Sequence, residues 1–480
     1  MGSGFSAGGY GDFYDTHTVE QAAGEDEHIV VPASFTYDSG EPYVKYRAWF
    51  PNDTDMFGPW RNESQQNQEI WLETMLRLKL NTVETGSSID YNSQYAVSDY
   101  AKLIDKYGLK ITYHHISALN SPYNKWDEYW SKIRNRAIPK LSLANTDLLE
   151  EFWTYNVRSV VESGIDPIWV INFRGHRDIP FWETFLDAPE SMEERASVIN
   201  DMVRKQMKIL KKETNNNSPL VRMIFYNELS DLLDAGLVKP PQERNLIWNF
   251  VATRRDHYPN DDIRTIDIPE NIKLGYYMNL QFTSTGSHLA QAEGPWKMER
   301  NYRFVDSKNT VPLFFSVMNS GNIREHLLTL SVNAEMLWNW NEYDTEIFLK
   351  TFSSKYYGSE HAASIAKLYH NYFYAYWNQQ KNNLEGFERQ FIFHDLRYKQ
   401  AVSQLFYLFF EKVDMNPLED YTTEQIPNRT FGIVPEDNNA ENEIEAIING
   451  TNESFKKFNR VVHDADSIYI LLDEQSKMFF

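Results

Sequence analysis

The side chains able to do chemistry gather at the ends of apolar runs. In Trp169-Val-Ile-Asn-Phe-Arg-Gly-His-Arg-Asp178 a mostly apolar run leads straight into Arg174, a glycine, and then His176, Arg177 and Asp178. It reads as a buried strand with a charged tip. The same pattern recurs. Asn52 and Asp53 follow Val44–Pro51, His114 and His115 close Lys110–His115, Asn227 and Glu228 follow Val221–Tyr226, and Asn319 and Asn322 follow Val311–Met318. The set holds carboxylates, an arginine, histidines and neutral amides, with no thiol and no nucleophilic-serine motif. Glycoside hydrolysis uses such groups: one carboxylic acid protonates the leaving oxygen, and a second carboxylate activates water or attacks the sugar carbon. Amides would hold hydroxyl groups, and Arg174 with a histidine could pair with an anionic sugar.

Each residue also has a plainer role open to it. His114-His115 fits one core histidine beside an exposed one. Asp178, two residues before Pro180, fits a helix N-cap. Glu228 fits a first-turn acid of a helix over Leu229–Ala235, favoured by the helix dipole. Asp53 in Pro51-Asn-Asp-Thr54 is good turn chemistry. A metal held by His114, His176, Asp178 and Glu228 is disfavoured, because no His-Glu-x-x-His or similar close spacing is present. No metal and no cofactor is expected. Joint placement at several strand ends is the argument for a site.

The elements that must position these groups alternate. Strand candidates are Val44–Pro51, Thr82–Thr85, Lys110–His115, Ile168–Phe173, Val221–Tyr226, Leu246–Phe250, Lys273–Asn279 and Val311–Met318. Helical spacing fills the intervals: Asn67–Leu80, Tyr95–Tyr107 closed by Gly108, Asp147–Ser163, Met192–Lys212 and Arg324–Trp340. Strand, short loop and helix at this rhythm is the signature of parallel βα units, and about eight of them favour a closed (β/α)8 TIM-like barrel. After Tyr343 the character changes to helices over Ala363–Trp377, Arg397–Val413, Asn442–Phe455 and Asp464–Leu472, with a polar loop over Pro417–Asn439 and no convincing strand. The expected organisation is an N-terminal extension (1–42), a catalytic α/β barrel (43–350) and an α-helical bundle domain (351–480).

Composition narrows the partners. A net charge of −21 over 480 residues argues against nucleic acid and anionic membrane, and any anionic substrate must meet a local cluster of cations. There is no cysteine, which excludes disulfides and thiolate chemistry. Aromatic residues make up 15% of the chain; they suit sugar stacking, though most must simply fill cores. No apolar run reaches the roughly 18 residues of a membrane helix. The start, Met1-Gly-Ser-Gly-Phe-Ser, lacks the pattern of an export signal and reads as a flexible leader. An extracellular or periplasmic bacterial location is favoured, and homodimer formation is left open.

Five of these segments, in the same order, resemble motifs of glycoside hydrolase family 115, the xylan α-1,2-glucuronidases. Tyr46-Arg-Ala-Trp-Phe-Pro-Asn-Asp53 resembles Tyr-Arg-Gly-x-Phe-x-Asn-Asp-Glu, and Tyr113-His-His-Ile116 resembles Ser-His-His-Glu. Phe173-Arg-Gly-His-Arg-Asp178 is similar to Met-Arg-Gly-Asp-Gly-Asp. Phe225-Tyr-Asn-Glu228 is similar to the Tyr-Lys-Glu-Val segment, and Asn319-Ser-Gly-Asn322 to Asn-Val-Gly-Asp. The resemblance runs from about residue 43 to 345. It implies an inverting, exo-acting hydrolase that removes glucuronic acid, or its 4-O-methyl form, from xylan-type polysaccharide or oligosaccharide. Asp178 and Glu228 would be the catalytic pair, Glu228 as acid and Asp178 as base. Asp53, His114, His115, Arg174, His176, Asn227, Tyr277, Asn319 and Asn322 would bind substrate. The departures fall on substrate-contacting segments: Thr54 and Ile116 replace family glutamates, Asn249-Phe-Val-Ala252 replaces an Asp-Asp-Asn segment, Met278 stands where a Tyr-Tyr-His ends, and Asn322 replaces an aspartate. A hydrolase for another uronic or neutral sugar branch is therefore the alternative, as is a degenerate barrel that binds glycans without cleaving them.

Overall fold

Eight of the apolar runs become strands: β1 (Tyr46–Phe50), β2 (Thr82–Thr85), β3 (Lys110–Tyr113), β4 (Trp169–Val170), β5 (Val221–Phe225), β6 (Leu246–Val251), β7 (Lys273–Asn279) and β8 (Phe315–Asn319). The structure is a computed structural model describing residues 40–52, 57–251, 263, 266–280, 294–321, 323–375, 377–379, 389–391 and 440–480. All eight strands pair in parallel, in the order β3-β2-β1-β8-β7-β6-β5-β4. The two ends of that series meet at a parallel bridge between Thr112 and Ile168, where the Ile168 N–H donates to the Ile111 carbonyl at 2.8 Å. The sheet thus closes on itself, as the barrel reading requires.

Register decides which residues face inward, because strand side chains alternate between the two faces. Glu84 pairs in register with Thr112, Arg222 with Val170 and Ile247, and Asn249 with both Ile224 and Gly275. Gly275 in turn pairs with Phe315, and Asn279 with Asn319. Arg222 bonds to Glu84 and Thr112, so this track lies inside the barrel. Continued past the strand ends, the same alternation carries His114, Asn172, Arg174, Tyr226 and Glu228 inward. The outward face packs on helices. Trp49 on β1 meets Trp71, on the buried face of the helix Gln65–Arg77, with ring centroids 5.8 Å apart and edge to face. Such a pair contributes about 1 kcal/mol beyond its buried area.

Several elements are shorter than the apolar pattern suggests. The run Ile168–Phe173 forms only Trp169–Val170, because at Asn172 the backbone turns to a side chain: Gln206 accepts from the Asn172 N–H at 2.9 Å and donates to its carbonyl at 2.7 Å. β8 starts at Phe315 rather than Val311, since Pro312 can offer no N–H to a ladder. The helix expected from Tyr95 starts at Asp99, where the Ser98 hydroxyl accepts from the Ala101 N–H; Tyr95 and Ala96 are held at positive φ before it. Gly108 does close that helix in the left-handed conformation, at φ 71°.

The chain divides into two compact units. One contains all eight strands. The other contains the helices Pro295–Asp306 (to Phe304), Ile323–Trp338 (from Glu325), Thr345–Tyr357, Ala362–Phe373, Ala440–Tyr469 and Glu474–Phe479. Two features there depart from the sequence expectation. A short antiparallel pair, β9 (Trp377–Gln379) and β10 (Arg389–Phe391), lies where no strand is expected. Asn442–Phe455 and the first part of Asp464–Leu472 are joined in one helix, Ala440–Tyr469, with Ile470–Leu472 beyond its end. The expected helix at Arg397–Val413 and the loop at Pro417–Asn439 fall outside the described residues, as do Asp53 and Asn322. Among the described residues no helix is long and apolar enough to cross a membrane.

Candidate active site

At the carboxyl ends of β4 and β5 the chain places one guanidinium between two carboxylates. Arg174 Nε and Nη2 donate to Glu228 Oε1 and Oε2 at 2.8 and 3.0 Å. Its Nη1 donates to Asp178 Oδ1 at 2.5 Å, and Nη2 also reaches the Asp178 carbonyl at 3.2 Å. Four of its five N–H groups are thereby used by the protein itself. The two parallel bonds to Glu228 are the forked geometry that makes arginine–carboxylate pairs strong and directional. Arg174, expected to pair with an anionic sugar, instead bonds two carboxylates of the chain itself.

The loop between β4 and Asp178 is tightly fixed. The Gly175 N–H donates to the Ile179 carbonyl at 2.7 Å, and the His176 N–H to Thr184 Oγ1 at 2.8 Å. Gly175 has no room for a Cβ, which would press on Thr184 Oγ1, on the Pro180 carbonyl at 2.7 Å and on the Ile179 carbonyl at 2.9 Å. Arg177 (φ 60°) and Asp178 (φ 65°) then follow in the left-handed region, and Asn227 (φ 46°) precedes Glu228. Each such residue costs on the order of 1 kcal/mol relative to glycine. Asp178 is not an N-cap: Pro180 takes that position without a side-chain bond, and Asp178 turns to His115 and Arg174 instead. Glu228 is the first residue of its helix, Glu228–Asp234, so the helix-start role is real and is combined with the bond to Arg174.

Environment separates the two carboxyls. Burial pushes Glu228 up from its ordinary value, against the pull of Arg174, and its side chain is 12% exposed. Burial also works to raise Asp178, but His115 and Arg174 outweigh it and hold Asp178 below the usual carboxylate range; its side chain is 40% exposed. A carboxyl shifted toward its protonated form beside one shifted toward its ionised form is how acid and base roles are divided. His115 Nε2 lies 2.6 Å from Asp178 Oδ1. Burial lowers both histidines, that of His114 well below its ordinary value, so each is neutral at pH 7. With His115 neutral and Asp178 ionised, Nε2 carries the proton and donates. Asp178 Oδ2 receives no hydrogen bond from a described residue, which leaves it available to water.

Both histidines are buried, which corrects the reading of one core and one exposed ring. They belong to an aromatic row across the barrel mouth: Phe50 stacks on His114 at 4.8 Å, His114 lies 3.8 Å from His115, and His115 stacks on Tyr226 at 4.7 Å. Arg174 sits over Tyr226 at 4.9 Å. Tyr277 is buried on the inward track, edge-on to Phe50 at 6.4 Å, and burial holds its phenol neutral. Asn319 donates from Nδ2 to Asn279 Oδ1 at 2.8 Å, with its own Oδ1 unpartnered. His176 is half-buried and Asn227 exposed on the two loops; no hydrogen bond or ion pair draws their side chains into the Arg174 cluster. Among the described residues no group of three His, Asp or Glu side chains is placed to hold a metal ion.

Sequence reasoning missed what lies beneath. Arg222 and Glu84, both without exposed side-chain surface, form an ion pair at 2.7 Å inside the barrel. Arg222 also donates to Thr112 Oγ1 at 3.0 Å and lies over the Phe315 ring at 4.1 Å. Asn172, held by Gln206, donates weakly to the His115 and Ile224 carbonyls and so ties the ends of β3, β4 and β5. The available signal was a lone charge inside each of two short strands, Val221-Arg-Met and Val83-Glu-Thr, of opposite sign.

A closed parallel barrel with paired carboxylates at strand ends defines the class of barrel enzymes whose chemistry sits on the βα loops. The model of glycosyl hydrolase family 115 matches residues 39–384. The chain belongs to that family. Among solved structures it is similar to BtGH115A, described as a family 115 4-O-methyl-α-glucuronidase with specificity for decorated arabinogalactans, at 15% identity and a TM-score of 0.58. The match covers 91% of this chain and 52% of the other, so the chain spans about half the length of that relative. A fainter likeness, with a TM-score of 0.42 and 11% identity over 69% of this chain and 41% of the other, links it to a Clostridium perfringens protein, CpGH89, in complex with GlcNAc-α-1,4-galactose. No curated protein matches the chain.

Proposed function

We propose that this chain is an exo-acting glycoside hydrolase that removes glucuronic acid, or its 4-O-methyl form, from the side chains of a xylan-type polysaccharide, with inversion. The observation that carries the reading is the division of labour across Arg174: a buried Glu228 pushed toward its protonated form, and a more exposed Asp178 held ionised. Glu228 is the general acid for the leaving oxygen. Asp178, with Oδ1 fixed by His115 and Arg174, is the base that takes a proton from water through Oδ2. One guanidinium and its two hydrogen bonds limit the separation of the bonded oxygens to roughly 7 Å, within reach of the spacing of about 6.5–9.5 Å that inversion requires. Tyr226, Tyr277, Asn319 and the histidines furnish rings and amides for a sugar.

Family membership supports the reaction type, and the printed activity of BtGH115A supports the uronic acid. That relative's preference for decorated arabinogalactans makes these glycans the natural second carrier to test beside glucuronoxylan. Incubation with both, and with branched glycans carrying neutral sugars, tests the reading through the monosaccharide released. NMR of the first-formed anomer tests inversion. A second reading, a barrel that binds glycans without cleaving them, draws on the forked Arg174–Glu228 pair, since an ionised Glu228 has no proton to give. Glycan binding with no released sugar at any pH would favour it.

A further inference from the structure

We infer that Arg177 is the cation that recognises the carboxylate of the sugar, a specificity residue on the rim of the site; this deepens the uronic-acid reading and rests on it. The protein carries a net charge of −21, so an anionic sugar needs a local cation to approach. Arg174 is poorly suited to that task. Its side chain is 1% exposed, and four of its five N–H groups already serve Glu228 and Asp178. His114 and His115 are buried and neutral. Arg177 differs from all three. It is exposed, it immediately precedes the base Asp178, and it forms no ion pair with any described residue.

The backbone strengthens the assignment. Arg177 sits at φ 60° and ψ 36° in a turn pinned at both ends by the Gly175 and His176 N–H bonds. Glycine is the residue that adopts this conformation without strain. The chain instead has a long cation there, on a loop whose next residue belongs to the catalytic pair. A guanidinium is also the side chain best matched to a carboxylate, through two parallel hydrogen bonds.

Glycine at this position separates charge from folding, because Arg177→Gly relaxes the backbone as it removes the cation. The full chain and its Arg177→Gly and Arg177→Lys variants are titrated calorimetrically with free glucuronate and with glucose, and their melting temperatures recorded. The expected result is a wild type that prefers glucuronate, and an Arg177→Gly protein melting no lower, whose dissociation constant for glucuronate rises about tenfold to a hundredfold. Glucose binding should stay the same, and Arg177→Lys should recover part of the preference. A folded Arg177→Gly protein that keeps the wild-type preference overturns the assignment and leaves the uronic-acid reading standing. A wild type that does not distinguish the two sugars overturns both.

Discussion

Arg174 and Glu228 face each other across adjacent strand ends, joined by two parallel hydrogen bonds of 2.8 and 3.0 Å. The same guanidinium holds Asp178 on its other edge. The groups assigned to proton transfer are therefore positioned by one residue, and its planar fork matters as much as its charge. Arg174→Lys keeps the charge and loses the fork. Its kcat/KM on a uronic-acid-bearing glycan is expected to fall about a hundredfold or more, the scale of loss that follows a misplacement of about 1 Å. Steady-state kinetics with a melting curve checks this; near wild-type turnover would show that positioning does not depend on the fork.

The pH profile follows from the directions of the two carboxyls. With Asp178 as the proposed base and Glu228 as the proposed acid, activity needs Asp178 ionised and Glu228 protonated, so kcat/KM is expected to rise with pH on a limb below the ordinary aspartate value and to fall on a limb above the ordinary glutamate value. Arg174 favours the charged form of both. Arg174→Met is therefore expected to move both limbs to higher pH, whatever it does to the maximum rate. Limbs that stay in place would separate the profile from these residues.

Acid and base are distinguished by leaving group. Glu228→Gln should slow release from a natural glycan by about 10²–10⁴-fold, and much less from an aryl glycoside whose leaving group needs no proton. Asp178→Asn should slow both substrates alike. The reverse pattern would exchange the two roles.

Much of this site was legible because barrel parity is written into the chain. Arg174, Glu228, His114 and Asn319 each follow or end an apolar run, and Tyr277 lies within β7 on the inward track. What was not legible depends on partners far apart in sequence. Nothing near Arg174 announces that its fork closes on Glu228, 54 residues away. The end of β4 at Asn172 is imposed by Gln206 from a distant helix. The hairpin of β9 and β10, three residues a side, is too short to give a period-2 signal. Arg222 and Glu84 were passed over because a charge inside a strand ordinarily faces solvent; here 138 residues of chain separate two charges that neutralise each other in the core.

That inner pair carries a stability prediction. Both groups are fully buried, and burial works against the charged form of each. Removing one partner leaves an uncompensated charge, so Glu84→Met or Arg222→Met alone should cost about 3–5 kcal/mol, while the two substitutions together should be far closer to wild type. Denaturant unfolding of the three proteins measures it. Additive losses would mean the pair is not coupled.

Gly175 carries another. A methyl group there would press on Thr184 Oγ1 and the Ile179 carbonyl, which hold the turn leading to Asp178, and on the Pro180 carbonyl. Gly175→Ala is expected to destabilise the protein by about 1–3 kcal/mol and to reduce kcat more than KM, since Asp178, the proposed base, moves with the loop. An unchanged kcat would place Asp178 outside the chemistry.

The measurement that bears most directly on the central claim is the product released from glucuronoxylan and from decorated arabinogalactan by the wild type and by Glu228→Gln. Free glucuronic acid, or its 4-O-methyl ether, from the wild type, and release slowed by about a hundredfold or more in a folded Glu228→Gln protein, is the predicted result. Release of a neutral sugar alone, or equal release by the two proteins, would contradict it.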